Sequence, residues 1–194
     1  IDKNAFLDLN NTIGVIHIVR DPRNVVTSIK NHYAFKDINT SKEKLFNENN
    51  WIGFEKSYKA VKSNQVPTLI SSWKNHYLSW KNKSNNYLLI KYEDLIQNPH
   101  YEFNKIAKYI SKIIGINFTN EKIEKSIETN RFSELKKLEK KGLFLENAFD
   151  RNISKKINFF NLGPDNDWRK ILEKKISDEI EFKFNDEMRE LGYL

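Results

Sequence analysis

An α/β fold built on a parallel sheet is predicted by two observations. Two apolar runs, residues 13–20 and 86–92, each stop and give way at once to a turn and a helical pattern. Helical periodicity then fills most of the chain between and after them, which is how parallel strands are connected.

The elements follow in order. Val15, Ile16, Ile18 and Val19 are β-branched and interrupted only by His17, as expected for a short strand in a largely buried parallel sheet. Asp21 can cap a helix over 22–33 whose first position is Pro22, where the missing N–H costs nothing. Val25, Val26 and Ile29 recur on one face of it, leaving Arg23, Asn24, Thr27 and Lys30 to face elsewhere. A connector over 34–43, rich in Asn, Lys, Ser and Thr, leads to expected helices over 43–62 and from Pro67 to Lys81. The run NYLLIKY, 86–92, is the second strand. Asn98-Pro99 opens an amphipathic helix carrying Ile106, Ala107, Tyr109, Ile110, Ile113 and Ile114, which Gly115 ends. Short helices are expected over 119–130 and 132–141, the latter closed by Gly142. Residues 143–166 read mostly as loop with an apolar Ile157–Phe160 stretch, and helices over 167–173 and 175–191 finish the chain.

The 194 residues suit one domain, and 13 Phe, 8 Tyr and 4 Trp can fill a core despite 30% charged residues. No stretch nears 18 consecutive apolar residues, and the lack of cysteine excludes disulfides and thiolate metal sites. A cytoplasmic location is expected. The net charge of +7 suggests nucleic acid, but its make-up does not. Of 33 basic residues 27 are Lys, spread without a block, beside 25 Asn and 22 Ile, an excess of the kind AT-rich codons produce. The six arginines are therefore the informative cations, and no specific nucleic-acid partner is expected.

Arg20 ends the first strand where the following helix presents free N–H groups, and Ser28 lies eight residues on. A cation beside a helix N-terminus suits a phosphate. The plainer reading is a surface Arg–Asp pair with Ser28 an ordinary helix residue. Tyr92 ends the second strand, the place where α/β sheets bind ligands. Trp73, His76, Tyr77 and Trp80 form one helix face, read first as core packing, with an edge that can line an acceptor pocket.

Taken in order, VIHIVRDPRNVVTSIKNHY, the segment SWKNHYLSWKNKSNNYLLIKYEDLIQNP, NRFSELKKLEKKG and FFNLGPDNDWRKIL resemble motifs of the sulfotransferases that use 3′-phosphoadenylyl sulfate. The resemblance implies a P-loop-NTPase-like three-layer sandwich, a parallel sheet with helices on both faces, here a single partial domain over 1–194 lacking its first strand and loop. It implies that Arg20 and Ser28 grip the nucleotide's 3′-phosphate, that Tyr92 contacts the adenine and that Phe132 stacks on it. Phe132 taken alone is more often a core residue. Asn161, Leu162 and Gly163 take the place of the family's Arg-Lys-Gly, which closes over the 3′-phosphate; the frame is kept and its charges are not. Arg151 and Arg169 flank this segment as candidate replacements, and Arg131 stands where the family has a serine.

The implied reaction moves a sulfuryl group from 3′-phosphoadenylyl sulfate to an acceptor hydroxyl, leaving adenosine 3′,5′-bisphosphate (PAP) and needing no metal. Its partners are thus a nucleotide donor and a hydroxyl-bearing acceptor. The 5′-phosphosulfate loop and the general-base histidine of the family fall before Ile1 when counted back from Arg20. No catalytic residue is therefore named in this chain, and the 194 residues alone are expected to be inactive. The alternative is a catalytically inactive module that holds a nucleotide or a partner.

Overall fold

The computed structural model describes residues 12–52, 68–81, 86–144, 148–150 and 155–194. Strand β1 (Val15–Val19) leads to helices α1 (Pro22–His32) and α2 (Ile38–Phe46). Short strands β2 (Trp51–Ile52) and β3 (Thr68–Leu69) precede α3 (Trp73–Lys81). Then come β4 (Tyr87–Lys91), α4 (Tyr92–Gln97), α5 (Pro99–Ile114), α6 (Asn120–Thr129) and α7 (Phe132–Lys140). A hairpin of β5 (Ala148–Asp150) and β6 (Lys155–Ile157) is followed by a 3-10 turn at Gly163–Asp165. Helices α8 (Trp168–Ile171), α9 (Lys174–Lys183) and α10 (Asn185–Glu190) complete the order. The chain divides into two compact units, residues 1–20 with 80–167 and residues 21–79 with 168–194.

In the first unit β1 and β4 pair in parallel, Val15 opposite Tyr87 through Val19 opposite Lys91, so the α/β expectation holds. The register is fixed at its start by a side chain of α5. The Tyr109 hydroxyl accepts from the Val15 N–H at 3.0 Å and donates to the Asn86 carbonyl at 2.7 Å. Gly14 makes room for it, since a Cβ there would lie 2.5 Å from that hydroxyl. The strand differs from expectation in its faces. Val15, His17 and Val19 are buried while Ile16 and Ile18 are exposed, the alternation of a strand covered on one side. His17 faces inward because a ring nitrogen meets the Tyr87 hydroxyl at 2.8 Å. Helix α5 starts and stops as its sequence requires, with Pro99 in the first turn and Gly115 left-handed at φ 72°.

In the second unit Val26, Leu45, Ile176, Ile180, Phe184 and Met188 form the core. Phe184 is fully buried, its ring 5.3 Å from those of Phe46 and of Trp73. Burying a side chain of this size contributes about 1.5–3 kcal/mol. Phe184 also interrupts the helix expected over 175–191, leaving helical geometry at φ −119° and splitting it into α9 and α10. Helix α2 begins at Ile38, inside the expected connector. Asp37 caps it, accepting from both the N–H and the hydroxyl of Thr40 at 2.9 Å. That helix ends at Phe46, so the helix expected over 43–62 holds to Phe46 and is wrong from Asn47 through Ile52, and residues 53–62 lie outside those described. The expected helix from Pro67 begins only at Trp73, after β3. Trp73 and Tyr77 stack at 6.3 Å with Tyr77 buried, so this part of the aromatic stripe is core.

Candidate functional site

The parallel register explains the first unit's site. Val19 and Lys91 are paired partners, so the next residues, Arg20 and Tyr92, leave the carboxyl ends of neighbouring strands side by side. The Arg20 guanidinium lies 4.2 Å over the Tyr92 ring and donates to the Gly163 carbonyl at 3.1 Å. Burial pushes the Tyr92 phenol above its usual range; Arg20 pulls it back in part and Glu93 adds to the rise. Tyr92 therefore stays a neutral hydrogen-bonding group at physiological pH.

Gly163 joins this pair to Phe132. Its φ is +56°, and a Cβ would stand 2.2 Å from the Phe132 ring, so the ring lies directly on the glycine backbone. Only glycine meets both demands. The structure thus links Arg20, Tyr92, Gly163 and Phe132 by contact within one unit, although the sequence spreads them over more than 140 positions. Leu162 is exposed at the surface of the same turn.

Two residues without a role in the sequence reading hold the loop before Gly163. The buried Glu139 carboxylate accepts from the N–H groups of Phe159 at 2.5 Å and Phe160 at 3.1 Å. A Lys136 N–H donates to the Asn161 carbonyl at 3.0 Å, and its ammonium lies 5.2 Å from the Phe132 ring centroid. Lys136 is one helical turn beyond Phe132, a spacing that places both on one face of α7. That spacing was the available signal. Of the candidates Arg151 and Arg169, Arg151 lies outside the described residues, and Arg169 belongs to the second unit, its guanidinium 4.6 Å over the Trp168 ring.

Ser28 belongs to the second unit, half-buried on α1, where its hydroxyl donates to the Asn24 carbonyl at 3.2 Å. Asn24 in turn accepts from the Trp168 N–H at 3.0 Å. Arg23, expected to face away from the core, is 4% exposed. Its guanidinium pairs with Asp21 at 2.7 Å and Glu181 at 2.6 Å, donates to the Tyr193 carbonyl at 2.8 Å and lies 4.1 Å over the Trp168 ring. Burial works against its charge, but Asp21 and Glu181 more than offset that and raise its pKa.

This unit also holds a cavity of about 250 Å³ between α1, α2, α3 and the β2–β3 pair. Val25, Ile29, Leu45, Ile70 and Trp73 give it apolar walls, while Lys44 and His76 supply polar groups. Burial lowers the pKa of both, so His76 is neutral at physiological pH. The remaining histidines sit elsewhere: His32 edge-on to Tyr33 and His100 exposed against Glu124. Among the described residues no group of three His, Asp or Glu side chains could hold a metal ion, and no helix is long and apolar enough to cross a membrane.

Comparison with known proteins adds to this geometry. A family model described as a sulfotransferase domain matches residues 6–192. The structure of mouse sulfotransferase SULT7A1 complexed with PAP is similar in fold, with a TM-score of 0.62 at 23% identity over 91% of this chain and 58% of that one. Retinol dehydratase, solved in complex with androsterone and inactive cofactor PAP, gives 0.61 at 18% identity over 93% and 48%. The chain spans about half the length of these structures, 58% and 48%. No curated protein matches it.

Proposed function

We propose that this chain, which belongs to the sulfotransferase domain family, is the part of such an enzyme that holds the adenine and 3′-phosphate of 3′-phosphoadenylyl sulfate. Both units are read as one domain, since the family match runs across them. The observation that carries the reading is Arg20, held at the mouth of the parallel strands by the Tyr92 ring and the Gly163 carbonyl. A phosphate offers this guanidinium a stronger, charge-assisted partner than a carbonyl does.

Each remaining residue has a role under this reading. Tyr92 and Phe132 present ring faces to the adenine, and Ser28 donates its hydroxyl to the 3′-phosphate. The backbone from Asn161 through Leu162 to Gly163 closes over that phosphate, with Lys136 supplying the positive charge that positions 161 and 162 lack. The cavity bounded by Trp73 and His76 takes the acceptor. In the reaction the acceptor oxygen forms a bond to sulfur as the bond from sulfur to the 5′-phosphate oxygen breaks. PAP leaves, and the hydroxyl proton passes to a base. This chain's residues bind and orient; none of them is assigned as that base.

Isothermal calorimetry tests the reading. PAP should bind at least about tenfold more tightly than adenosine 5′-monophosphate, the worth of one charge-assisted phosphate contact. Equal affinities for the two would remove the 3′-phosphate assignment.

A further inference from the structure

We infer that Lys44 makes the acceptor cavity selective for small apolar compounds that carry a carboxylate in addition to their hydroxyl. The inference rests on the reading of this cavity as the acceptor site. Lys44 stands on the last turn of α2 and lines the cavity with Tyr33 and Asn50. Its ammonium donates to the Asn50 side-chain oxygen at 2.6 Å and lies 4.4 Å over the Tyr33 ring. Among the described residues no carboxylate pairs with it, whereas Lys42 on the same helix pairs with Glu179 and Lys74 of α3 pairs with Glu187.

The contrast has a physical meaning. A half-buried ammonium stays partly desolvated, and an amide oxygen and a ring face compensate it less well than an anion does. Two of its three N–H donors have no hydrogen-bond partner among the described residues. The rest of the wall is Val25, Ile29, Leu45, Ile70 and Trp73, which fits a ring or short hydrocarbon body. At about 250 Å³ the space takes a single substituted ring; a cavity of roughly 150 Å³ already holds benzene. His76, neutral and on the same wall, adds no second positive charge to attract a dianion.

The test uses 4-hydroxybenzoate and its uncharged counterpart 4-hydroxybenzamide, which share the ring and the hydroxyl. Binding to the protein is measured by calorimetry at fixed salt, with PAP titrated separately. Hydroxybenzoate should bind about tenfold more tightly than the amide, and in Lys44→Met the preference should fall to within about twofold. Lys44→Gln, which keeps a donor without the charge, should lose the preference while still binding the amide. PAP affinity should be unchanged in both variants, which also reports that they are folded. Equal binding of the two compounds to the unaltered protein, or a preference that survives in Lys44→Met, would overturn the inference and leave the cavity's role standing. Failure of both compounds to bind while PAP binds normally would overturn the acceptor reading of the cavity itself.

Discussion

Arg20 and Arg23 stand three residues apart in one sequence motif, yet the regions around them use the same side chain in opposite ways. Around Arg23 the partners are internal and two of them are charged. Asp21 and Glu181 neutralise it, Tyr193 takes a further N–H and Trp168 covers its face. Around Arg20 the partners include a neutral carbonyl and a ring face. A guanidinium compensated by two carboxylates gains little from a phosphate, because binding one would mean giving up an equally good anion. One that includes a carbonyl among its partners can exchange that neutral contact for a charge-assisted one. Residue type alone does not make an anion site; the quality of the partners already present does.

The difference can be broken by substitution. Arg23→Met should cost about 3–5 kcal/mol of stability, because it strands the Asp21 carboxylate in a buried place. Urea denaturation measures this, and a loss under about 1 kcal/mol would mean that the ion pairs are only surface contacts. Gly163→Ala comes next. The forced left-handed backbone and the contact with Phe132 should cost about 2–3 kcal/mol and move the carbonyl that Arg20 holds. Thermal unfolding together with PAP titration should show both effects; a variant with unaltered melting and binding would show that the turn is looser than described.

Arg20→Met should reverse the Arg23 pattern. Stability should change by no more than about 1 kcal/mol, while PAP affinity falls about 10- to 100-fold and that for adenosine itself hardly moves. Equal losses for PAP and adenosine would assign Arg20 to general packing of the site. The smallest effect is expected from Lys136→Met, which should weaken PAP by about three- to tenfold with an effect that shrinks as salt rises. A salt-independent loss would mean that Lys136 acts by holding the Asn161 loop rather than by its charge.

Features set by local chemistry were legible in the chain: the Asp21 cap with Pro22, the Gly115 stop, and the two strands ending at Arg20 and Tyr92. Four residues of the candidate site could be picked out, but not their contacts, which join segments far apart in sequence. Arg23 was misread because Glu181, which helps to bury it, lies 158 positions away. The same holds for Glu139, whose carboxylate has no visible purpose until the N–H groups of Phe159 and Phe160 are brought to it. Two-residue strands such as Trp51–Ile52 and Thr68–Leu69 are too short for any periodicity to register. The Asp37–Thr40 cap was legible in principle, but a run of polar residues around it resembled a connector.

The parallel pairing of β1 with β4 has a consequence for biosynthesis. His17 and Tyr87, which bond across the two strands, are separated by 70 residues. At about 5–20 residues per second, a ribosome releases the first strand roughly 4–14 s before its neighbour exists. Through that interval Val15, Ile16, Ile18 and Val19 are exposed with an unpaired backbone edge, and two of these side chains stay at the surface afterwards. The nascent chain is therefore most in need of a chaperone in that interval, and slowing the codons between the two strands should lower the yield of folded protein more than slowing those after Lys91.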